Sequence, residues 1–170
     1  MNAAAPSTPF STCDLCDAHE GDTSGKFRVL PPVFRDFGMA RPFCGPVQTL
    51  RALEDNSRVR EAVNSPGEGR VLVVDAGGSL RRALVGGNLA VAAAKNGWAG
   101  IVVDGCVRDV AELRAAGIPV RALALMPLRT DKRGEGQAGE PVQIQGVWVR
   151  PGDWLYADED GMVVADRALT

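Results

Sequence analysis

Histidine and aromatic residues are scarce in this chain of 170 residues, and their scarcity excludes several kinds of chemistry. There is one histidine, His19, and phenylalanine, tryptophan and tyrosine together make up 5% of the sequence. A single histidine leaves almost no material for a Ser-His-Asp triad or for another acid–base scheme built on imidazole. Valine, alanine and leucine must therefore fill the interior, and the hydrophobic content of 45% matches a globular protein.

Long apolar runs and basic blocks are also missing. No stretch approaches the roughly 18 apolar residues that a membrane span needs, so we expect no membrane contact. Residues 1–11 lack the charged and apolar regions of a secretory signal and contain two prolines, which predicts a flexible leader on a cytoplasmic protein. The net charge is −2 and the charges are interspersed, which argues against direct binding of nucleic acid.

The four cysteines do not complete a metal or redox motif. Cys13 and Cys16, followed by His19, have the spacing of half a zinc site, but Cys44 and Cys106 stand alone in the sequence. Structural zinc needs four ligands, so we interpret the first pair as reduced, partly buried thiols on one short helix. Cys106 lacks a base partner that would make it a nucleophile, and packing is the favoured interpretation.

The stretch from Val71 to Ser79, a strand followed by two glycines, invites comparison with nucleotide-binding sites, because free amides after a strand can bind phosphate. The glycine spacing is not G-x-G-x-x-G, and the sequence contains no Gly-Lys-Ser/Thr motif. A sharp turn from a strand to a helix explains these glycines better than a dinucleotide or methyl-donor site.

Apolar patterning predicts one α/β domain over residues 12–170, with a mostly parallel sheet. Buried strands are predicted at 71–74, 101–103 and 120–125, with helices at 89–96 and 109–116 between them. Four further short strands, at 142–144, 147–149, 154–157 and 162–165, are separated by turn residues. They predict a C-terminal β-meander.

The N-terminal part of this domain is expected to be less regular. The sequence predicts a helix at 13–18 capped by Ser11 or Thr12, a strand at 47–53 and a helix at 57–63. Residues 21–46 are rich in glycine and proline and are expected to form one long connection. Residues 129–140 are polar and are expected to form a loop.

The strongest candidate site combines Arg108, Asp109 and Glu112 with the loop Gly86-Gly87-Asn88. Arg108 and Asp109 follow a predicted buried strand, and α/β sheets bind ligands beyond the carboxyl ends of their strands. Asp109 and Glu112 are three residues apart, so their carboxylates share one helix face and suit hydrated Mg²⁺ or Mn²⁺. The glycine loop precedes a helix whose first amides can receive a carboxylate.

Two interpretations of this group compete. In the first, the residues have only a structural role: an Arg-Asp pair caps a helix, and Glu112 lies on the exposed face. A small 2-keto acid accounts for more of the residues, because its carboxylate would bind the amides and its keto oxygen would bind the metal and the guanidinium. We therefore predict a keto-acid site.

The motifs that contain these residues resemble those of the RraA-like family, which comprises regulators of RNase E activity A and class II 4-hydroxy-4-methyl-2-oxoglutarate aldolases. The resemblance runs from about Thr12 to Val164. Its motifs are Leu-Cys-Asp-Ala (15–18), Phe34-Arg-Asp-Phe-Gly38, Glu54-Asp-Asn56, Gly69-Arg-Val-Leu-Val-Val-Asp75, Leu84-Val-Gly-Gly-Asn-Leu-Ala90, Lys95-Asn-Gly-Trp98, Gly105-Cys-Val-Arg-Asp109, Gly134-Glu-Gly136, Pro151-Gly-Asp153 and Ala157-Asp-Glu-Asp-Gly161.

The resemblance implies a swivelling β/β/α domain that assembles as a homotrimer, with sites between subunits. It also implies that the backbone amides of Gly86, Gly87, Asn88 and Leu89 bind the substrate carboxylate. Arg108 would bind the keto oxygen and the enolate that develops from it.

The same resemblance implies that Asp109 ligates the divalent metal and that Glu112 supports the metal through water. Dedicated aldolases of the family carry aspartate where this chain has Gly87, and Gly87 together with Glu112 resembles a second catalytic version of the motif. Members that only inhibit RNase E tend to lack the full set. The complete set in this chain therefore favours an enzyme.

The expected activity is metal-dependent carbon–carbon cleavage of a small 2-keto acid. Retro-aldol cleavage of 4-hydroxy-4-methyl-2-oxoglutarate and decarboxylation of oxaloacetate both pass through pyruvate enolate, so one site can serve both. The alternative is a non-catalytic inhibitor of RNase E, in which the acidic residues 158–160 would meet a basic segment of that partner. A third hypothesis keeps the same chemistry but assigns it to a different keto acid.

Overall fold

The computed structural model describes residues 8–170, so most of the predicted leader lies outside the described residues. The helices are α1 (Thr12–Ala18), α2 (Ser57–Val63), α3 (Gly87–Lys95) and α4 (Val110–Ala115). The strands are β1 (Phe27–Val29), β2 (Arg35–Asp36), β3 (Phe43–Arg51), β4 (Val71–Asp75), β5 (Ala83–Val85), β6 (Gly100–Val107), β7 (Val120–Leu125), β8 (Gln137–Ala138), β9 (Val142–Ile144), β10 (Val147–Val149), β11 (Trp154–Ala157) and β12 (Met162–Ala165). Within this part of the chain, no helix has the length and apolarity to cross a membrane.

A mixed sheet of ten strands forms the centre of the molecule. Its order is β1-β12-β11-β3-β4-β6-β7-β2, while β5 pairs with β6 and β8 pairs with β3. The middle strands β3, β4, β6 and β7 run parallel, and β11, β12 and β1 extend the sheet in antiparallel fashion. This arrangement confirms the predicted α/β fold class.

The two faces of the sheet are both buried, which explains the continuous apolar runs of its middle strands. Successive side chains of a strand point to opposite faces. In β4, Leu72 and Val74 therefore belong to the hydrophobic cluster under α2, α3 and α4, while Val71 and Val73 belong to a second cluster that includes residues of β9 and β10. The sheet is held between these two clusters.

The predicted connection at residues 21–46 is partly wrong, because it contains β1, β2 and the start of β3. Burial in β3 alternates from Phe43 onwards and continues through Gly45 and Pro46, whose composition had suggested a turn. A Cβ on Gly45 would overlap the carbonyl oxygen of Gly69, so this glycine permits close packing of the chain rather than a bend. The strand predicted at 47–53 ends at Arg51.

The C-terminal strands have the predicted bounds, but the predicted continuous meander is wrong. β9 and β10 form a separate two-stranded sheet, whereas β11 and β12 pair with each other and join the main sheet beside β3. The predicted loop at 129–140 also contributes the two residues of β8, which pair with β3. Turn spacing locates hairpins, but it does not determine which strands lie side by side.

The last residues of the predicted leader contact the domain. The ring of Phe10 lies edge-on to Tyr156 with centroids 5.2 Å apart, and the Ser11 side chain caps α1. Asp158 then holds the start of the helix, because its carboxylate accepts hydrogen bonds from the Thr12 amide at 2.7 Å and the Thr12 hydroxyl at 2.6 Å. α1 is thus fixed to the turn between β11 and β12.

A buried carboxylate, Asp55, joins the start of α2 to the loop that follows β7. Asp55 is 0% exposed and accepts hydrogen bonds from the amides of Ser57 at 2.9 Å, Arg133 at 2.6 Å and Glu135 at 3.5 Å. Burial alone would raise the pKa of Asp55, but the hydrogen bonds from the hydroxyl and amide of Ser57 and from the other two amides outweigh it. They lower the pKa to about 2. The ionised carboxylate is therefore the form that stabilises this loop.

We expect the Asp55→Asn variant to lose about 1–3 kcal/mol of unfolding free energy at pH 7, because the amides lose a charged acceptor. The pKa of Asp55 lies below its ordinary value of 3.8 in the folded state, so its contribution is complete above about pH 4 and is lost as the pH falls towards 2. Urea unfolding at a series of pH values measures both effects. The exposed Asp131→Asn variant in the same loop is the control, and equal losses in the two variants would contradict the assignment.

Candidate active site

Two adjacent strands bring the predicted site together. β5 pairs with the end of β6 through Ala83 opposite Cys106 and Val85 opposite Val107. The chain therefore leaves the sheet at neighbouring points, into α3 on one side and into Arg108 on the other. The Arg108 amide also donates to the Val85 carbonyl oxygen at 3.0 Å, which fixes the two exits against each other.

Asp109 has an unusual backbone conformation at the start of α4. Its φ of 61° and ψ of 48° lie in the left-handed region, which aspartate tolerates better than most residues. Although Asp109 occupies the N-cap position, its side chain makes no capping hydrogen bond to α4. One carboxylate oxygen, Oδ2, instead accepts from the Gly87 amide at 3.2 Å and lies 3.9 Å from Nε of Arg108. The side chain faces α3 and accepts from the first amide of that helix, so Asp109 does not cap its own helix α4.

Gly86 and Gly87 leave the space in which two carboxylates lie. A Cβ on Gly86 would be 2.6 Å from Oδ2 of Asp109. A Cβ on Gly87 would overlap the carboxylate of Glu112 and would be 2.6 Å from the Cβ of that residue. The carboxylates of Asp109 and Glu112 therefore both lie against the first turn of α3.

A cavity of about 370 Å³ opens beside this turn. It is lined by Asn56, Arg60, Asn64, Ala83, Gly86, Asn88, Leu89, Ala92, Arg108, Asp109, Arg129, Thr130 and Lys132. Five of the predicted site residues are among them, whereas Gly87 and Glu112 are not lining residues. In Arg108 and Asp109 the side chains are 37% and 40% exposed, so both are accessible from the cavity.

Sequence reasoning missed the residues that α2 and the loop after β7 contribute to this cavity. These are Asn56, Arg60, Asn64, Arg129, Thr130 and Lys132. Basic residues scattered through the sequence look like an ordinary solvated surface, and only the fold collects them. The motif Glu54-Asp-Asn56 and the polar stretch 129–140 were visible in the sequence, but neither indicated a ligand.

The donor set of the site suits one kind of metal. Within residues 8–170, no three His, Cys, Asp or Glu side chains converge as a metal-binding group. Asp109 and Glu112 provide two carboxylates, both exposed residues at the same helix start. Mg²⁺ retains several waters and commonly takes one or two protein carboxylates, so these residues fit a hydrated hard ion completed by substrate and do not fit a closed zinc site.

The other sequence motifs do not form a second reactive centre. Burial raises the pKa of Cys16 and Cys106, and the pKa of Cys13 is raised chiefly by the charge of Asp160, so all three thiols resist ionisation. The ring of His19 stacks on Phe27 with centroids 4.2 Å apart. Cys13 and Cys16 lie in α1, His19 ends that helix, and Cys106 is buried in β6.

The glycine pair at 77–78 forms a sharp turn, but the turn leads from β4 towards the strand β5 and not into the predicted helix. Gly77 and Gly78 have φ of 67° and 69°, in the region that favours glycine. The Gly77 amide donates to the Asp75 carboxylate at 2.9 Å, and the Gly78 amide donates to the Asp104 carbonyl at 3.0 Å. Both amides are therefore engaged within the chain rather than directed at a phosphate.

Two proteins that are similar to this chain in sequence have the same name. A protein from Albidiferax ferrireducens named "Putative 4-hydroxy-4-methyl-2-oxoglutarate aldolase" is 70% identical over 168 residues, which cover 94% of this chain and 97% of that one. A protein of the same name from Burkholderia mallei is 59% identical over 161 residues, which cover 94% and 98%.

Solved structures show the same fold. The RNA-processing inhibitor RraA from Thermus thermophilis superposes with a TM-score of 0.89 at 45% identity, over 96% of each chain. A protein from Geobacillus kaustophilus described as an S-adenosylmethionine:2-dimethylmenaquinone methyltransferase gives 0.86 at 41% identity, over 94% of this chain and 97% of that one.

The sequence model of one family, RraA-like (Aldolase/RraA), matches residues 12–164. This match spans nearly all of the resemblance drawn from the motifs and includes every residue of the candidate site. The chain therefore belongs to the RraA-like family.

Proposed function

We propose that this protein is a divalent-metal-dependent carbon–carbon lyase that cleaves 4-hydroxy-4-methyl-2-oxoglutarate into two molecules of pyruvate, with decarboxylation of oxaloacetate as a side activity. The observation that supports it is the arrangement of Arg108, Asp109 and the first turn of α3 around one cavity. Relatives at 59–70% identity that are named as aldolases of this substrate support the same assignment.

The substrate would be held by its pyruvate end. Its C1 carboxylate would accept hydrogen bonds from the first amides of α3, those of Gly86, Gly87, Asn88 and Leu89, where the helix dipole also favours an anion. The Gly87 amide already donates to Asp109 at 3.2 Å, so Asn88 and Leu89 are the first amides available. The Arg108 guanidinium would donate to the keto oxygen at C2.

Carbon–carbon cleavage places negative charge on that keto oxygen. As the proton leaves the C4 hydroxyl, the C3–C4 bond breaks, its electron pair moves towards the C2 oxygen, and protonation at C3 then gives the second pyruvate. Arg108 would stabilise the enolate electrostatically in both reactions. A divalent ion, Mg²⁺ or Mn²⁺, held by Asp109 and supported through water by Glu112 would supply Lewis-acid stabilisation of the same oxygen.

Gly87 leaves no carboxylate at the position where dedicated aldolases of the family carry aspartate. The Glu112 carboxylate lies where a side chain on residue 87 would start. We assign to Glu112 the orientation of the water that takes the hydroxyl proton. The missing side chain at Gly87 thus leaves the room that the Glu112 carboxylate occupies.

The proposal extends to the assembly of the protein, by resemblance to the family. We propose a homotrimer with the site at a subunit boundary, since Leu125 and Leu128, beside the cavity residue Arg129, are 47% and 50% exposed. Large exposed apolar side chains next to a polar site are common where another subunit covers the surface.

A second candidate function is inhibition of RNase E, and the likeness to an RNA-processing inhibitor at 45% identity favours it. The acidic group 158–160 supports it less than the sequence suggested, because Asp158 is bound to Thr12 and only Glu159 and Asp160 are exposed. The complete catalytic set favours the lyase as the main activity.

Replacing Arg108 with alanine should lower kcat about 10²–10³-fold on both 4-hydroxy-4-methyl-2-oxoglutarate and oxaloacetate, because one donor to the developing oxyanion is lost. Pyruvate release in a coupled assay measures the effect. The Arg114→Ala variant is the control, since Arg114 is an exposed arginine of α4 that does not line the cavity. Turnover of Arg108→Ala near the wild-type rate would rule out this role.

Metal dependence gives a separate test. We expect a chelator to abolish pyruvate release, Mg²⁺ or Mn²⁺ to restore it, and oxalate, which imitates the enolate, to inhibit it. The Asp109→Asn variant keeps an acceptor for the Gly87 amide but should need a much higher metal concentration for half-maximal activity. Pyruvate release that persists unchanged in excess chelator would contradict the metal requirement.

The Gly87→Ala variant tests the pairing with Glu112. The added methyl group would displace the Glu112 carboxylate, so we expect turnover to fall at least tenfold and stability to fall by about 1–3 kcal/mol. The double variant Gly87→Ala, Glu112→Gly removes both the carboxylate and the Cβ that the added methyl group would meet, so it should be no less stable than Glu112→Gly alone, but it should not recover the activity. Thermal unfolding and the pyruvate assay measure the two effects, and full activity of Gly87→Ala would show that the Glu112 position is irrelevant.

A further inference from the structure

The cavity is lined by more positively charged side chains than are needed to bind the pyruvate end of the substrate. Arg108 has an assigned role, but Arg60, Arg129 and Lys132 line the same space without one. Within residues 8–170, none of these three side chains forms an ion pair with a carboxylate, whereas exposed arginines elsewhere, such as Arg58 and Arg81, do. The cavity wall thus holds three cations that the fold leaves unneutralised.

The charge balance of the wall points to an anionic ligand. Four cationic side chains line the cavity, and Asp109 is the single carboxylate among the lining residues. Like charges in a concave space with low-dielectric walls repel each other and raise the local concentration of anions. A second carboxylate on the substrate would relieve that repulsion.

Two buried polar atoms in the same wall lack partners. Thr130 is 3% exposed and its hydroxyl oxygen makes no hydrogen bond within the described residues, and the same holds for the side-chain oxygen of Asn56. Both residues line the cavity, and a buried polar group without a partner destabilises the fold. A carboxylate bound in the cavity would accept a hydrogen bond from the Thr130 hydroxyl.

The loop that contains three of these residues is held rigidly. Arg129, Thr130 and Lys132 directly precede Arg133, whose amide donates to the buried Asp55 carboxylate at 2.6 Å. At the other end of the loop, the Ala83 amide donates to the Leu128 carbonyl at 2.8 Å. The backbone that carries the cations is therefore anchored at both ends of the loop before a ligand arrives, which lowers the cost of ordering it on binding.

We propose that Arg60, Arg129 and Lys132, together with Thr130, form a subsite for the distal carboxylate of a dicarboxylic 2-keto acid. This inference rests on the proposed function, because it assigns the second half of the same substrate. In 4-hydroxy-4-methyl-2-oxoglutarate the C5 carboxylate would occupy the subsite. The enzyme would then select dicarboxylic substrates over monocarboxylic ones.

The two reactions should depend differently on this subsite. The C5 carboxylate of 4-hydroxy-4-methyl-2-oxoglutarate keeps its charge throughout retro-aldol cleavage. The distal carboxylate of oxaloacetate loses its charge as it leaves as CO₂, so cations that hold it stabilise the ground state more than the transition state. Removing a cation should therefore harm the aldolase reaction more than the decarboxylation.

The test compares Arg60→Gln and Arg129→Gln with the matched control Lys95→Gln, an exposed lysine of α3 that does not line the cavity. We expect each test variant to lower kcat/KM for 4-hydroxy-4-methyl-2-oxoglutarate about 10–100-fold, mainly through KM, as loss of a charged hydrogen bond predicts. Cleavage of 4-hydroxy-4-methyl-2-oxopentanoate, which has a methyl group in place of the distal carboxylate, should be unchanged. Exchange of the pyruvate methyl protons, followed by NMR, should also be unchanged.

Unchanged KM for 4-hydroxy-4-methyl-2-oxoglutarate in both Arg60→Gln and Arg129→Gln would overturn the subsite, and so would an equal loss on both substrates. If the wild-type protein neither cleaves the keto acids nor exchanges pyruvate protons, the proposed function fails. The subsite is then decided by titration calorimetry with 2-oxoglutarate and pyruvate. Tighter binding of 2-oxoglutarate that Arg60→Gln weakens and Lys95→Gln does not would support it, while equal binding of the two acids would overturn it.

Discussion

The site depends on the close approach of two carboxylates to the first turn of α3. That approach is allowed because residues 86 and 87 have no Cβ, and it is directed by the left-handed backbone of Asp109. A non-glycine residue in this region costs on the order of 1 kcal/mol or more and persists where the surroundings enforce it. The Gly87 amide and the pairing of β5 with β6 provide that enforcement.

The fold also constrains which segments form the cavity beside α3. The cavity receives cations from α2, from the end of β6 and from the loop after β7, which are far apart in the sequence. Asp55 joins two of these segments through hydrogen bonds that require its charged form. The stability of the loop and the shape of the cavity are therefore linked through one buried carboxylate, and polar groups such as Thr130 remain available to a ligand.

Proteins with this fold have names that describe different activities: an aldolase, an inhibitor of RNA processing and a methyltransferase. A fold supports many functions, so the choice among them must come from the site. In the function that we propose, the residues beside α3 would provide amides for a carboxylate, a guanidinium for an oxyanion and carboxylates for a hard cation. The engaged amides of Gly77 and Gly78 offer no comparable arrangement for a nucleotide-like methyl donor.

The sequence by itself determined the fold class, the family and the bounds of most helices and strands, because apolar periodicity and turn residues are local signals. It also identified Arg108 and Asp109 as candidates, because they follow a predicted strand, and the glycine loop, because it precedes a predicted helix. Only the tertiary structure decided the rest: that the stretch at 21–46 contains strands, that the C-terminal hairpins lie in different sheets, and that Asp109 faces α3 rather than its own helix. The cavity cations Arg60 and Arg129 emerged for the same reason, because contacts between residues distant in the chain leave no periodic trace in the sequence.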